Sequence, residues 1–219
     1  MTMHMLGCVE LSFLNYDAAS GLLEGSIAPL RRIGDHEQVA WSLVFLGIVS
    51  RCTGDHEKAM ARFEEGLALF REVGLVQGAG YALCEMGIVA TRRGDLESAD
   101  NLLKQSLVTV FEAADRMATA KAMEALADVE TRRGEFVRSA QLLASAQTVR
   151  TEIGGPVEAY EMEAYEALLA TTSHSLGKAR FAQAWAGGAA MTLTEAVRFA
   201  LADQSALATL DRNDHVLIE

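Results

Sequence analysis

The feature that most constrains the fold of this chain is a repeat of 40 residues, marked by small residues at its turns. The first series of turn residues is Gly34, Gly74, Ala114 and Gly154, and the second series is Gly54, Gly94 and Gly134. An acidic residue follows each glycine of the second series. Two turns per repeat indicate two structural elements per repeat. A fixed period of roughly 20–50 residues is typical of a solenoid, in which each unit buries its apolar face against its neighbours.

The segments between these turns have the period of amphipathic helices. Met60, Phe63 and Leu67, for example, follow the spacing i, i+3, i+7. No segment sustains the alternation expected of a β-strand, so we predict an all-α chain. A glycine at the end of a helix suits a left-handed C-cap, and an acidic residue after it suits the first turn of the next helix. Each Gly-Asp or Gly-Glu pair therefore predicts the end of one helix and the start of another.

The repeat resembles the tetratricopeptide repeat (TPR), whose first helix carries a Leu-Gly pair and whose second helix carries a small residue followed four positions later by an aromatic one. The matches are Leu46-Gly47 with Ala59 and Phe63, Met86-Gly87 with Ala99 and Leu103, and Leu126-Ala127 with Ser139 and Leu143. The unit is longer than the common form of about 34 residues. Longer repeats of this kind resemble those of large bacterial signal-transduction ATPases of the MalT-like or LuxR-type class. The resemblance implies a right-handed superhelical solenoid of helical hairpins with a C-terminal helical cap.

The period divides the chain into two expected parts. We expect four TPR-like repeats over residues 1–155, the first truncated at its N-terminus, and a helical cap and tail over residues 156–219, packed on the solenoid. In the second part, one helix is predicted from about Val157 to Ser175 and another from Lys178 to Trp185, stopped by Gly187-Gly188. Thr192 and Glu195 then form a predicted capping box.

The second part carries a further resemblance. The residues concerned are Leu176-Gly177, Phe181, Ala184-Trp185, Gly188, Met191-Thr192, Glu195-Ala196-Val197 and Ala200-Leu201. They are similar to the end of the TPR region in regulators that join a nucleotide-binding ATPase domain to such repeats. The resemblance covers neither the ATPase domain nor a helix-turn-helix domain of those regulators. The resemblance implies a sensor or partner-docking part of a regulator, either encoded alone or cut from a longer protein.

Composition argues against several classes of protein. The formal net charge of −11 disfavours direct binding of nucleic acid, because that affinity comes largely from Lys and Arg neutralising phosphates. The pairs Arg92-Arg93 and Arg132-Arg133 are predicted at helix C-termini, where cations complement the helix dipole. The three cysteines, Cys8, Cys52 and Cys84, have no metal-ligand or redox spacing, which favours a reducing cytoplasm. No apolar stretch reaches the roughly 18 residues needed to span a membrane.

No catalytic or metal-binding constellation is evident, so we expect neither an enzyme nor a cofactor. The five histidines are scattered along the chain. Glu161, Glu163 and Glu166 crowd one predicted helix and could form a paired-carboxylate site. We favour a solvated acidic face for these three residues.

We therefore place the expected function on the concave surface formed by the first helices of the repeats. In TPR proteins this groove is lined by particular positions, and the resemblance carries them onto this chain. They are Trp41, Val44, Ile48 and Cys52, then Tyr81, Cys84, Ile88 and Arg92, then Lys121, Glu124, Asp128 and Arg132. A groove that is apolar at one end and charged at the other suits a protein or peptide partner with an apolar anchor and a charged end. Trp41 and Tyr81 are equally compatible with packing between repeats.

Four hypotheses remain from the sequence. The first is a non-catalytic TPR interaction or sensor module of a bacterial transcriptional or signalling regulator. The second is a regulatory domain that binds a small inducer inside the superhelix, which a deep apolar pocket near Trp41 and Tyr81 would favour. The third is a homodimer or larger scaffold that associates through its unfinished first repeat or its tail. An all-helical enzyme is the least supported.

Overall fold

The computed structural model describes residues 2–202, which form eleven α-helices without a β-strand. The helices are α1 (Met3–Ser12), α2 (Tyr16–Arg32), α3 (His36–Cys52), α4 (His56–Val73), α5 (Val76–Arg93), α6 (Leu96–Glu112), α7 (Arg116–Arg133), α8 (Phe136–Ile153), α9 (Ala159–Leu176), α10 (Lys178–Ala189) and α11 (Leu193–Leu201). The predicted all-α class is confirmed.

The turn residues end and start the helices as the repeat predicts. Gly74, Gly94, Gly134 and Gly154 are left-handed C-caps with positive φ. The acidic residue lies one position earlier than expected, at the N-cap instead of inside the first turn. Asp35, Asp55, Asp95 and Asp115 each accept a hydrogen bond there from the backbone N–H three residues later. Ala114 takes the left-handed conformation at φ 55° although it is not a glycine.

Helices α1 to α8 form four antiparallel hairpins that stack in chain order. The first helices of the hairpins contact one another directly, α1 with α3, α3 with α5 and α5 with α7. They therefore form the inner, concave layer, with α2, α4, α6 and α8 outside. The predicted solenoid of TPR-like hairpins is confirmed.

Small residues on the first helices set the spacing within a hairpin. A Cβ atom added at Gly47 would lie 2.4 Å from the ring of Phe63, and one added at Gly87 would lie 2.5 Å from Leu103. Since real Cβ atoms do not approach other carbons so closely, each glycine allows the two helices of its hairpin to meet.

Helices α10 and α11 cover the C-terminal end of the stack. Helix α10 packs along α8, and α11 contacts α6, α7 and α8. The prediction that Gly187-Gly188 would stop α10 is wrong, because the helix continues to Ala189. Gly188 instead lies against the backbone of Gln141, where an added Cβ would approach a carbonyl oxygen at 2.2 Å. The predicted capping box of Thr192 and Glu195 is confirmed. Residues 203–219 of the expected tail lie outside the described residues.

The opposite end of the stack presents an apolar face of α1. Met3, Met5 and Val9 are exposed, whereas the residues 40 positions later, in α3, are buried or half-buried next to α2. Association of this end with another copy stays a prediction.

Candidate functional site

The predicted aromatic groove residues pack between repeats. The Trp41 ring lies edge-on to Phe70 at 4.8 Å and to Tyr81 at 5.8 Å between ring centroids. Both Trp41 and Tyr81 are half-buried. They join the second and third hairpins, and these contacts cover part of each ring.

Three further predicted groove residues belong to the core. Val44 and Ile48 have no exposed surface, and Cys84 is almost fully buried. Burial raises the pKa of the Cys84 thiol to about 12, so it stays protonated. Cys52 is half-buried, and its pKa is raised by burial as well. A partner on the concave surface would not contact Val44, Ile48 or Cys84 in this structure.

The concave surface is occupied by helix α9 of the same chain. α9 contacts α1, α7 and α8, and its residues Tyr160 and Glu161 also bind side chains of α3 and α5. One line of side chains on α9 faces the solenoid: Glu161, Tyr165, Leu168, Thr172 and Leu176. Their spacing of i, i+4, i+7, i+11, i+15 is that of one helical face. The outer face, with Glu163 and Glu166, is exposed.

A buried network of charges lies beneath the N-terminal end of α9. The Glu85 carboxylate accepts a 3.0 Å hydrogen bond from Arg51 Nε, and its other oxygen lies 2.6 Å from Lys121 Nζ. Arg51 and Glu85 have no exposed side-chain surface. Arg51 also donates two hydrogen bonds to the Glu161 carboxylate. Lys121 Nζ lies 3.5 Å and Arg92 Nη2 3.9 Å from the same carboxylate.

Two tyrosines complete this network. Lys121 Nζ donates a 3.1 Å hydrogen bond to the Tyr81 hydroxyl, which lies 3.2 Å from the hydroxyl of Tyr160 on α9. Burial raises the pKa of both tyrosines, so their hydroxyls stay neutral. Tyr160 and Glu161 thus bind α9 to the second, third and fourth hairpins together.

The charges of the network stabilise one another. Burial lowers the pKa of Lys121, but its neighbours, with Glu85 the strongest among them, together outweigh burial and hold that pKa well above its usual value. Burial likewise raises the pKa of Glu161, but Lys121 and Arg51 outweigh it and the net shift is downward. The expected solvated acidic face is therefore wrong for Glu161, whose side chain is 14% exposed, and right for Glu163 and Glu166.

The predicted groove residue Glu124 is used to hold the segment before α9. Its two oxygens accept hydrogen bonds of 2.7 and 2.9 Å from Arg150. Arg150 also donates to the Pro156 carbonyl oxygen at 2.7 Å and to Glu158 at 3.3 Å. Pro156 precedes α9 instead of lying in its first turn, and Glu158 is the N-cap. Helix α9 therefore begins two residues later than predicted.

The C-terminal end of α9 is held by neutral contacts. The Thr172 hydroxyl lies 2.9 Å from that of Thr131 and 3.3 Å from that of Ser139. Leu176 packs with Ala140 and Ala184. The two ends of α9 are thus anchored by different chemistry, ionic at the start and uncharged at the end, where hydroxyl and apolar contacts combine.

Between its two anchors, α9 spans an open-sided cavity of about 440 Å³. The lining residues are Ile88, Arg92, Lys121, Glu124, Ala125, Asp128, Thr131 and Arg132 from the solenoid, and Val157, Glu158, Glu161, Ala164, Tyr165, Ala167, Leu168 and Thr171 from the α9 segment. The structure thus brings together six of the predicted groove residues, those from Ile88 onward. Trp41 and Tyr81 do not line this cavity.

The sequence contains a signal for the residues that our prediction missed. Leu11, Thr91 and Thr131 stand at the repeat position of Arg51, and Met5, Phe45 and Ala125 at that of Glu85. A charge at a repeat position that is otherwise apolar or small points toward the inside of the stack and requires a partner. Comparison of the copies at these positions would have singled out Arg51 and Glu85, but not Glu161, which lies outside the repeats.

Within residues 2–202, no group of three His, Cys, Asp or Glu side chains is arranged to hold a metal ion. None of the described helices is long and apolar enough to cross a membrane. The arrangement offers recognition by charge, hydroxyl and apolar contacts.

Residues 1–72, which contain almost all of the first two hairpins, match the family model described as tetratricopeptide repeat. The match supports a TPR-like assignment for this part of the chain. The third and fourth hairpins continue the same stack, with glycine or alanine at the repeat positions of Gly47. No curated protein matches the chain.

Proposed function

We propose that this chain is a non-catalytic TPR interaction module that binds a protein segment on its concave surface. The observation that carries the proposal is α9 itself, because a helix of the same chain is already bound there through an acidic side chain, a tyrosine and an apolar end. The same surface exposes the side chains of Asp128 and Arg132 beside α9. Recognition of a helix in a groove is a common mode of peptide binding.

We further propose that the module belongs to a bacterial transcriptional or signalling regulator and works in the cytoplasm without contacting nucleic acid. The support for the regulator is the resemblance of the repeats and of the tail to those of LuxR-type and MalT-like proteins. The net charge of −11 and the internal ion pairs of Arg132 and Arg133 support the absence of a nucleic-acid surface.

The proposal is tested with a photo-crosslinking amino acid placed at two exposed arginines. Arg132 lies in the last turn of α7, on the concave side, and Arg71 lies in the last turn of the outer helix α4. In cells that contain the regulator, we expect a defined protein adduct from position 132 and none from position 71. The purified partner is then titrated against Arg132→Glu, which we expect to weaken binding, and Arg71→Glu, which we expect to leave it unchanged. Equal adducts or equal affinities at both positions would contradict a concave site.

The cavity beside α9 favours a second candidate, a small effector molecule. Its volume of about 440 Å³ is within the range of ligand pockets. Its walls combine apolar Ile88 and Leu168 with charged Arg92 and Asp128. An effector bound there raises the melting temperature of the wild-type chain but not that of an Ala164→Trp variant, whose side chain fills the cavity. Equal shifts in both would place the effector elsewhere.

A further inference from the structure

Helix α9 lies in the concave groove in the way that a separate ligand would. Its strongest contacts are at its two ends, the ionic anchor at its start and the uncharged anchor at its end. In its middle section, Tyr165, Leu168 and Leu169 are only partly buried against the core, and the rest of that section faces a cavity. Only Thr172 and Leu176 of its 18 residues are buried, whereas most residues of α5 and α7 in the solenoid are buried. Protein interiors are normally close-packed, so the contact between α9 and the solenoid is incomplete compared with the contacts inside the solenoid.

The surface under α9 has an excess of positive charge in an acidic chain. Arg51, Arg92 and Lys121 face that surface, and Glu85 is the one solenoid carboxylate paired with two of them. Glu161 supplies the second carboxylate from α9. If α9 leaves, Arg92 loses the carboxylate that it faces, and Arg51 and Lys121 have only Glu85 left between them, which is costly. Any segment that replaces α9 must therefore bring a carboxylate to the same place.

We propose that the partner of this groove is an acidic amphipathic helix that displaces α9 and reproduces the contacts of Tyr160, Glu161 and Leu168. The proposal rests on the proposed function and names its partner by chemistry. α9 then acts as an internal competitor: the groove is open to the partner only in the fraction of molecules in which α9 is released. The partner requires an aromatic-acidic pair in its first turns and an apolar residue seven positions after the acid.

The test is a titration of the full chain with a fluorescent peptide that carries the α9 sequence, residues 157–177. Two variants release α9 by different routes. Glu161→Gln removes the carboxylate of the ionic anchor, and Leu176→Ala weakens the uncharged anchor without touching the charged network. Glu163→Gln is the matched control, because it makes the same change on the exposed face of α9. Far-UV circular dichroism checks that all four proteins have the same helicity.

We expect the peptide to bind Glu161→Gln and Leu176→Ala about tenfold more tightly, or better, than it binds the wild type or Glu163→Gln. A peptide with Gln at its own position 161 binds all four chains weakly. A scrambled peptide of the same composition also binds weakly, since the groove requires a helical pattern and not only negative charge.

Equal affinity of the native peptide for all four chains overturns the inference, and so does equal binding of the scrambled peptide. These outcomes leave the proposed function standing if the crosslinks from position 132 are found. If the peptide affinities are as expected but position 132 gives no crosslink, the groove serves only α9. That combination of results would refute the proposed function.

Discussion

The strongest consequence of the structure for stability concerns Glu85, the carboxylate between two buried cations. Glu85→Gln keeps the size of the side chain and removes its charge. Arg51 and Lys121 then share the single carboxylate of Glu161, and the new amide nitrogen faces a donor on one side. Breaking a buried pair in this way costs about 3–5 kcal/mol, mostly because a cation is left buried without its partner.

The loss of stability in Glu85→Gln arises because the buried cations outnumber the carboxylates. Removing one of those cations should therefore restore part of the lost stability. In a Glu85→Gln, Lys121→Met double variant, Arg51 and Glu161 remain as a balanced pair. We expect this variant to recover at least about half of the lost stability, because replacing a buried ion pair by apolar groups is often close to neutral. Glu163→Gln, on the exposed face of α9, changes stability by no more than about 0.5 kcal/mol.

The assay is urea unfolding at pH 7, followed by far-UV circular dichroism, with the free energy of unfolding compared among the four proteins. Equal slopes with urea concentration are required for the comparison. The reasoning is refuted if Glu85→Gln is within about 0.5 kcal/mol of the wild type, or if the double variant is less stable than Glu85→Gln.

Three further outcomes are expected. Gly47→Ala destabilises the chain by about 1–2 kcal/mol in urea unfolding because its Cβ would overlap Phe63. Gly21→Ala, in an open part of α2, stabilises the chain by up to about 1 kcal/mol. A change in stability of the same sign in both variants would contradict the argument that Gly47 is needed for close approach of the helices. Ala114→Gly stabilises the chain by about 1 kcal/mol, since the left-handed backbone there strains alanine; no gain in the same assay would show that the turn is not strained. The pKa of Glu161 is lowered in the folded chain, so the stabilisation from its carboxylate is complete above the unfolded pKa of about 4.3 and is lost as the pH falls through the folded pKa. The free energy of unfolding, measured from pH 6 to 3, therefore falls less steeply in Glu161→Gln than in the wild type. Identical pH profiles would contradict the lowered pKa of Glu161.

Much of the solenoid could be predicted from the sequence because its determinants are local. The 40-residue spacing, the left-handed glycines and the capping box of Thr192 and Glu195 each depend on a few neighbouring residues. The pair Gly187-Gly188 gives the same local signal, yet α10 continues through it. Glycine also allows close packing of helices, and only the position of Gln141 distinguishes the two roles.

The position of α9 could not be predicted, because a helical pattern shows which face is apolar but not which surface covers it. Glu161, Glu163 and Glu166 look alike in the sequence, and only the crossing of α9 over the solenoid separates the first from the other two. The predicted groove residues Val44 and Ile48 were carried over by resemblance. In this chain the stacked hairpins bury them completely.

Hydrogen exchange of the wild-type chain and Glu161→Gln, measured helix by helix by mass spectrometry, tests most directly whether α9 is a separable occupant of the groove. The account predicts that backbone amides of α9 exchange faster than those of α5 and α7 in the wild type. It also predicts that Glu161→Gln accelerates exchange in α9 alone. Exchange of α9 at the rate of α5 and α7, or an equal acceleration of all three helices in the variant, would show that α9 is an integral part of the solenoid.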